Sequence, residues 1–181
     1  MSAHPTRVVV FGIGNESRGD DALGPLLLRR LEAAGLAQVT AIEEYQLQIE
    51  NALDLDDHDL ALFIDAGTGT PPPFSFYEIE ADRQIAHSTH ALAPETVLAV
   101  YEQVQRKTPP PAFVLCVRGE QFELGADLSD AAAVHLELAW SRLLGLCTGA
   151  DADRWRAQTT TSAEPAPRPA SSVRVESSAS A

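Results

Sequence analysis

The stretch VVVFGIGNESRGDDALGPLLLRRLE, residues 8 to 32, decides the fold. From Arg7 to Gly12 a VVVF core runs without polar alternation, the pattern of a strand buried on both faces of a parallel sheet. A loop, GIGNESRGD, follows it. From Asp21 to about Ala34 the apolar residues Leu23, Leu26, Leu27, Leu31 and Ala34 recur at helical spacing, with Asp20 suited to the N-cap and Gly35 to the C-terminal stop.

The rest of the chain repeats this exchange of strand and helix patterns. VTAIE at 39 to 43 is a second strand, QLQIENALDL at 46 to 55 a short helix, and LALFID at 60 to 65 a third buried strand stopped by AGTGTPPP. FSFYEIE at 74 to 80 alternates aromatic and polar side chains, as an edge or antiparallel strand with one wet face does. Pro94 opens a helix whose face is Val97, Leu98, Tyr101 and Val104, AFVLCVR at 112 to 118 is the last long strand, and residues 128 to 145 form a helix with Leu136, Ala139, Trp140, Leu143 and Leu144 toward the core. The expected architecture is an α/β three-layer sandwich: a twisted, mostly parallel five-stranded sheet with helices on both faces and a site at the carboxyl ends of its strands. One domain spans residues 1 to 149. Residues 150 to 181, a Ser/Thr/Ala/Pro mixture with Trp155 as its one aromatic, are expected to be a disordered tail.

Composition narrows the function. The chain has 181 residues, 45% of them apolar, and a formal net charge of −13. Residues 150 to 181 hold four acids and four arginines, so the whole excess sits on residues 1 to 149. Binding nucleic acid through its phosphates needs a basic patch, and 26 acidic against 13 basic side chains argue against it. No apolar run approaches the roughly 18 residues of a membrane span, and MSAHPTR is not a secretory signal, so a cytoplasmic location is expected. Cys116 and Cys147 lie 31 residues apart with no CxxC pair, which predicts packed, reduced thiols.

Three places at the predicted carboxyl ends carry chemistry. Asp20 and Asp21 follow the first strand, Asp65 ends the third, and a loop with His87 and His90 precedes the Pro94 helix. Two carboxylates and an imidazole would suit a divalent transition metal. Each has a structural reading beside it: capping and the helix dipole for Asp20 or Asp21, a backbone turn at AGTG for Asp65, a surface loop for His90. His4, His58 and His135 are weaker candidates. GIGNES is only part of GxGxxG, with Ser17 at the third glycine position and acids where a pyrophosphate would sit, which disfavours a dinucleotide site. There is no Walker loop, HExxH or GxSxG elbow.

These residues resemble those of the hydrogenase maturation endopeptidases. The likeness lies in the apolar strand followed by G-x-G-N and Asp-Asp, in LALFIDAG, and in STHALAPETVLAVY, and it covers nearly all of residues 7 to 146. It implies a cytoplasmic, aspartic-type endopeptidase that removes a C-terminal extension from the large-subunit precursor of a nickel–iron hydrogenase after nickel insertion. By motif, the metal-contacting residues would be Asp21, Asp65 and His90, with Asp21 or Asp65 as general base and the nickel being that of the precursor. The protease is expected to act as a monomer. Many relatives carry a Gly-Gly-Thr motif after the second strand, where this chain has IEEYQLQIENALDL. By position alone, Tyr45 and Gln46 are candidate substrate contacts, while Gln46 and Gln48 could equally be solvated helix residues. A non-proteolytic metallochaperone for the same subunit, or a nucleotide-binding α/β module, are the competing classes. Eight acids and no basic residue lie between Glu43 and Asp65, a bias toward a cationic partner.

Overall fold

A computed structural model describes residues 4 to 82 and 92 to 160. Five strands form a single sheet in the order β2-β1-β3-β5-β4. They are β1 (Val8–Ile13), β2 (Val39–Glu44), β3 (Leu60–Gly67), β4 (Phe74–Ile79) and β5 (Ala112–Arg118). Four run parallel, and β4 pairs antiparallel with β5 at one edge, as its alternating pattern predicts. Every residue of β1 and β3 is buried, which is why both lack polar alternation.

Because strand side chains alternate, the sheet has two apolar faces. Val8, Val10, Leu62, Ile64, Phe113 and Leu115 meet helices α1 (Leu23–Ala34) and α3 (Asp130–Thr148). Val9, Phe11, Phe63 and Val114 meet α2 (Pro94–Gln105) and a short 3-10 helix, Ile49–Leu55. The Phe11 and Phe63 rings stack on this second face with centroids 4.8 Å apart. Helices therefore cover both sides, as expected of a three-layer α/β sandwich.

The connection from β1 to α1 is tighter than a capped helix start. Gly19–Ala22 forms a 3-10 turn that runs directly into α1, and neither start has a side-chain cap. Asp20 is thus not the N-cap that its position suggested, because its oxygens are taken by distant donors described below. Gly35 ends α1 in the left-handed conformation, at φ 65°. At the other end α1 lies almost against the sheet: a Cβ on Gly24 would stand 2.2 Å from the Ile13 carbonyl oxygen and 2.9 Å from that of Ile64. Only glycine allows that approach, and it brings the Asp20–Asp21 turn over the carboxyl ends of β1 and β3. Strand order reverses between these two strands, the place where open α/β sheets form their crevice.

Several expectations change. The predicted helix over 46 to 55 shrinks to the 3-10 segment Ile49–Leu55, its N-terminal part being an irregular link with Leu47 buried. Val104, assigned to the core face of α2, is 59% exposed, two residues before the left-handed Arg106 ends that helix. The largest change is at residue 150. Packed chain continues through α4 (Ala152–Ala157), where Asp151 caps the helix by accepting from Arg154 N–H, and Trp155 is fully buried. Trp155 meets Phe113 edge-on at 5.2 Å and Phe76 at 6.1 Å, and its indole N–H donates to the Leu146 carbonyl at 3.0 Å. Thr160 then pairs with the edge strand, its N–H donating to Phe76 C=O at 2.7 Å while its hydroxyl accepts from Phe76 N–H at 2.9 Å. Of the segment assigned to a tail, residues 150 to 160 therefore complete the α1 and α3 face, and residues 161 to 181 lie outside the described residues.

Trp155→Ala should lower unfolding free energy by about 3–5 kcal/mol, the cost of emptying an aromatic core site. Urea denaturation followed by far-UV circular dichroism measures this, and a loss below about 1 kcal/mol would place Trp155 outside the core.

Candidate active site

The site is built at the carboxyl edge of β1, β3 and β5. Gly14 follows β1 at φ 146°, a region closed to side chains, and a Cβ there would lie 1.9 Å from the Asp21 carbonyl oxygen. Chain 14 to 21 therefore folds back on itself, and Asn15 N–H donates to Asp21 Oδ2 at 2.8 Å. Asn15 uses its side chain twice, accepting from Ser17 N–H at 2.9 Å and donating to the Tyr45 hydroxyl at 2.8 Å. The asparagine of G-x-G-N is thus the link between the acid and the segment after β2.

The adjacent acids have opposite environments. Asp20 is fully buried and its carboxylate accepts from four donors: Glu120 N–H at 2.7 Å, Gln121 N–H at 3.0 Å, Ser129 N–H at 2.7 Å and Ser129 hydroxyl at 2.8 Å. Burial alone would raise its pKa, but these bonds together hold it below the usual carboxylate value. Asp21 is also buried, yet its Oδ1 has no hydrogen-bond partner. Desolvation pushes its pKa up, only partly offset by the Asn15 N–H and the Arg18 charge. A buried carboxylate oxygen without a donor is a costly arrangement in a folded chain, and such groups are characteristic of functional sites.

Asp65 stands on β3 opposite Cys116 of β5 and is 1% exposed. Its Oδ1 accepts from Ala66 N–H at 2.8 Å, the backbone contact that a turn-stabilising aspartate makes. Alternation puts it on the α2 face with Phe63 and Cys116. Thr70 closes this corner, with its hydroxyl 2.9 Å from Cys116 Sγ and its carbonyl accepting from Arg118 Nη1 at 3.1 Å. Arg118 Nε is, among the described residues, the other buried side-chain atom without a partner. Tyr77 lies on the same face, and its hydroxyl pKa is driven up by burial and by the nearby Cys116, Glu95 and Asp65.

The Asp20–Asp21 turn packs against β3, the strand that carries Asp65 near its carboxyl end. His87 and His90 lie outside the described residues. Among the described residues no three His, Cys, Asp or Glu side chains are arranged to hold a metal ion, so the two carboxylates fit such an ion only as part of a larger donor set. The unpartnered Asp21 Oδ1 is the atom suited to it. His58 and His135 are structural, the first hydrogen-bonding Asp56 C=O and Thr40 Oγ1, the second Arg118 C=O, each at 2.9 Å. Gln48 donates its N–H to Asn51 Oδ1 at 2.8 Å at the start of the 3-10 helix, while Gln46 is half-buried. Sequence reasoning did not single out Asn15, Thr70, Tyr77 or Arg118. The G-x-G-N pattern carried a signal for the first alone.

Fold alone defines the class to which the chain is similar: solved α/β proteins described as hydrogenase maturation proteases have this sheet and these layers. The [NiFe] hydrogenase maturation protease HycI of Thermococcus kodakarensis KOD1 shares the fold with a TM-score of 0.62 and 22% identity, over 80% of this chain and 94% of its own. HybD, the hydrogenase maturating endopeptidase of E. coli, matches with a TM-score of 0.58 and 19% identity over 80% and 94%. The hydrogenase 2 maturation peptidase of Thaumarchaeota archaeon SCGC_AB-539-E09 gives 0.59 and 22% over 79% and 99%. At these identities the likeness establishes the fold. No family model and no curated protein matches the chain in sequence.

Two measurements test the site's electrostatics. Above its lowered pKa, Asp20 contributes stability that is lost as pH falls below about 4, so Asp20→Ala should cost about 3 kcal/mol at pH 7 and less in acid. Asp21 behaves oppositely: its raised pKa makes the ionised form a burden at pH 7, relieved as pH falls toward the ordinary carboxylate value. Asp21→Asn should therefore raise the melting temperature at pH 7, and the gain should shrink toward pH 4. Calorimetry from pH 4 to 8 would refute this assignment if the two substitutions shift stability in the same direction at pH 7.

Burial pushes both thiols, Cys116 and Cys147, up to about 12. An aromatic disulfide reagent at pH 8 should find no reactive thiol in the native chain and two after unfolding in guanidinium.

Proposed function

We propose that this chain is an endopeptidase that removes the C-terminal extension of a nickel–iron hydrogenase large-subunit precursor once nickel has been inserted. The observation that carries the reading is Asp21: a buried carboxylate with one unpartnered oxygen, on a turn packed against the strand of Asp65, in a fold shared with solved maturation proteases. Asp21 and Asp65 are the proposed catalytic residues. Together with His90 they are the proposed contacts for the precursor's nickel, which belongs to the substrate and is not a resident cofactor. The work would be done in the cytoplasm by a monomer.

The described residues supply two abilities. Asp21 Oδ1 lies in a site that raises its proton affinity, so it can accept a proton from an attacking water and release it to the leaving amine as general base and acid, in the manner of an aspartic-type enzyme. Asp20, by binding the β5–α3 connection, holds the turn that carries Asp21 against the strand ends, so that this oxygen needs little rearrangement to act. Nickel in the precursor would polarise the substrate and act as the mark of a finished metal centre, making cleavage a checkpoint on its insertion.

The test is to incubate the purified protein with nickel-loaded and nickel-free precursor and measure the loss of C-terminal mass. Only the loaded form should shorten. Asp21→Ala, Asp65→Ala and His90→Ala should each slow cleavage by about a hundredfold or more while leaving the circular dichroism spectrum unchanged. A stable complex with no shortening would identify an assembly factor in place of a protease, and cleavage of both forms would remove the checkpoint.

A further inference from the structure

Seven large apolar side chains are exposed in the described structure, and three of them, Tyr45, Ile49 and Leu53, fall within nine residues of chain. Their exposures are 63%, 62% and 57%. They do not belong to a segment that could turn over to hide them. Leu47, Ala52 and Leu55 on the inward side are buried in the α2 face, and Asn51 is buried with its amide donating to Glu44 Oε1 at 2.7 Å and Asp54 Oδ2 at 3.1 Å. The Leu92 N–H donates to Leu47 C=O, tying the segment to the start of α2 as well. Exposed apolar side chains gathered on one short segment that is anchored by its own packing mark a surface for a partner.

Two further observations say which partner. The strip leads to the catalytic crevice through two hydrogen bonds, Tyr45 hydroxyl to Asn15 and Asn15 N–H to Asp21. Around it the acids are only partly balanced. Glu43 pairs with Arg29, Asp56 with Lys107 and Asp59 with Arg7, while Glu50, Asp54 and Asp57 have no basic partner among the described residues. A second copy of the chain would set these acids against themselves. The chain's own residues 161 to 181, with two arginines and two acids, bring no net positive charge.

We propose that Tyr45, Ile49 and Leu53, with Glu50 and Asp57 beside them, are the docking surface for a cationic amphipathic segment of the precursor, one in which apolar side chains alternate with Lys or Arg. The partner's identity rests on the peptidase reading; the chemistry of the surface does not. Its apolar side chains cover the strip, its basic groups neutralise the uncompensated acids, and the Tyr45–Asn15 link places the bound chain beside Asp21. The acids speed and orient encounter, and the apolar contacts hold the complex.

The test separates docking from cutting. Nickel-loaded precursor is titrated onto immobilised full-length protein by interferometry, and its cleavage is followed in parallel. Ile49→Ser/Leu53→Ser should weaken binding about tenfold or more and raise KM with kcat retained. Val134→Ser/Leu138→Ser, which removes two equally exposed apolar side chains from α3, should change neither. Raising salt from 50 to 500 mM should weaken wild-type binding, and Glu50→Gln/Asp57→Asn should reduce that salt dependence. Unchanged affinity in the Ile49/Leu53 variant, an equal loss in the α3 variant, or no binding by the wild type would overturn the proposal. Cleavage that ignores the strip would overturn docking and keep the protease, whereas strip-dependent binding without cleavage would keep docking and overturn the protease.

Discussion

The carboxyl edge of this protein depends on one buried carboxylate. Asp20 receives four hydrogen bonds from residues about a hundred positions away, joining the turn after β1 to the segment between β5 and α3. Ser129, one of its donors, is also the N-cap of α3, accepting from Ala132 N–H. A single ion therefore sets the start of a long helix, the path of the chain leaving β5 and the turn that carries Asp21. Because all four partners are donors, no neutral residue of similar size can satisfy them equally.

The adjacent pair illustrates how neighbours in sequence take opposite parts in a site. Asp20 is saturated with donors and its charge is held in place. Asp21, one residue on, shares the burial but receives only one donor on one oxygen. The difference comes from the backbone: the 3-10 turn aims successive side chains in different directions, one toward the β5–α3 connection and one toward Gly14 and Asn15. The saturated acid stabilises the turn, and the turn leaves the other with an oxygen that no donor reaches. Strain at the second is supported by satisfaction at the first.

Much of this was legible in the chain itself. The β1 and β3 strands announced themselves because burial on both faces removes polar alternation, and β4 because an edge restores it. What could not be read were roles fixed by distant partners. Nothing near Asp20 reveals that its donors are Glu120, Gln121 and Ser129, so capping was the natural expectation. Trp155 sat in an Ala/Thr-rich stretch with no large apolar neighbours, and its partners Phe76, Phe113 and Leu146 come from β4, β5 and α3. Of the proposed site, Asp21 lies on the turn after β1 and Asp65 near the end of β3, the strand-end positions read from the sequence, and the unpaired oxygen of Asp21 is a three-dimensional fact with no signature in the sequence.

Thr160 has an effect beyond packing. An antiparallel strand at the border of a sheet presents N–H and C=O groups that invite a strand from another molecule, a route to association that folded proteins block by several devices. Here the chain blocks it with itself: Thr160 takes both the N–H and the C=O of Phe76, midway along β4. The short helix that buries Trp155 delivers it there, so the same few residues that fill one face of the core also close a rung of the sheet's open border. The segment after α3 thus acts as a guard on the solubility of the fold, one that operates without adding a strand.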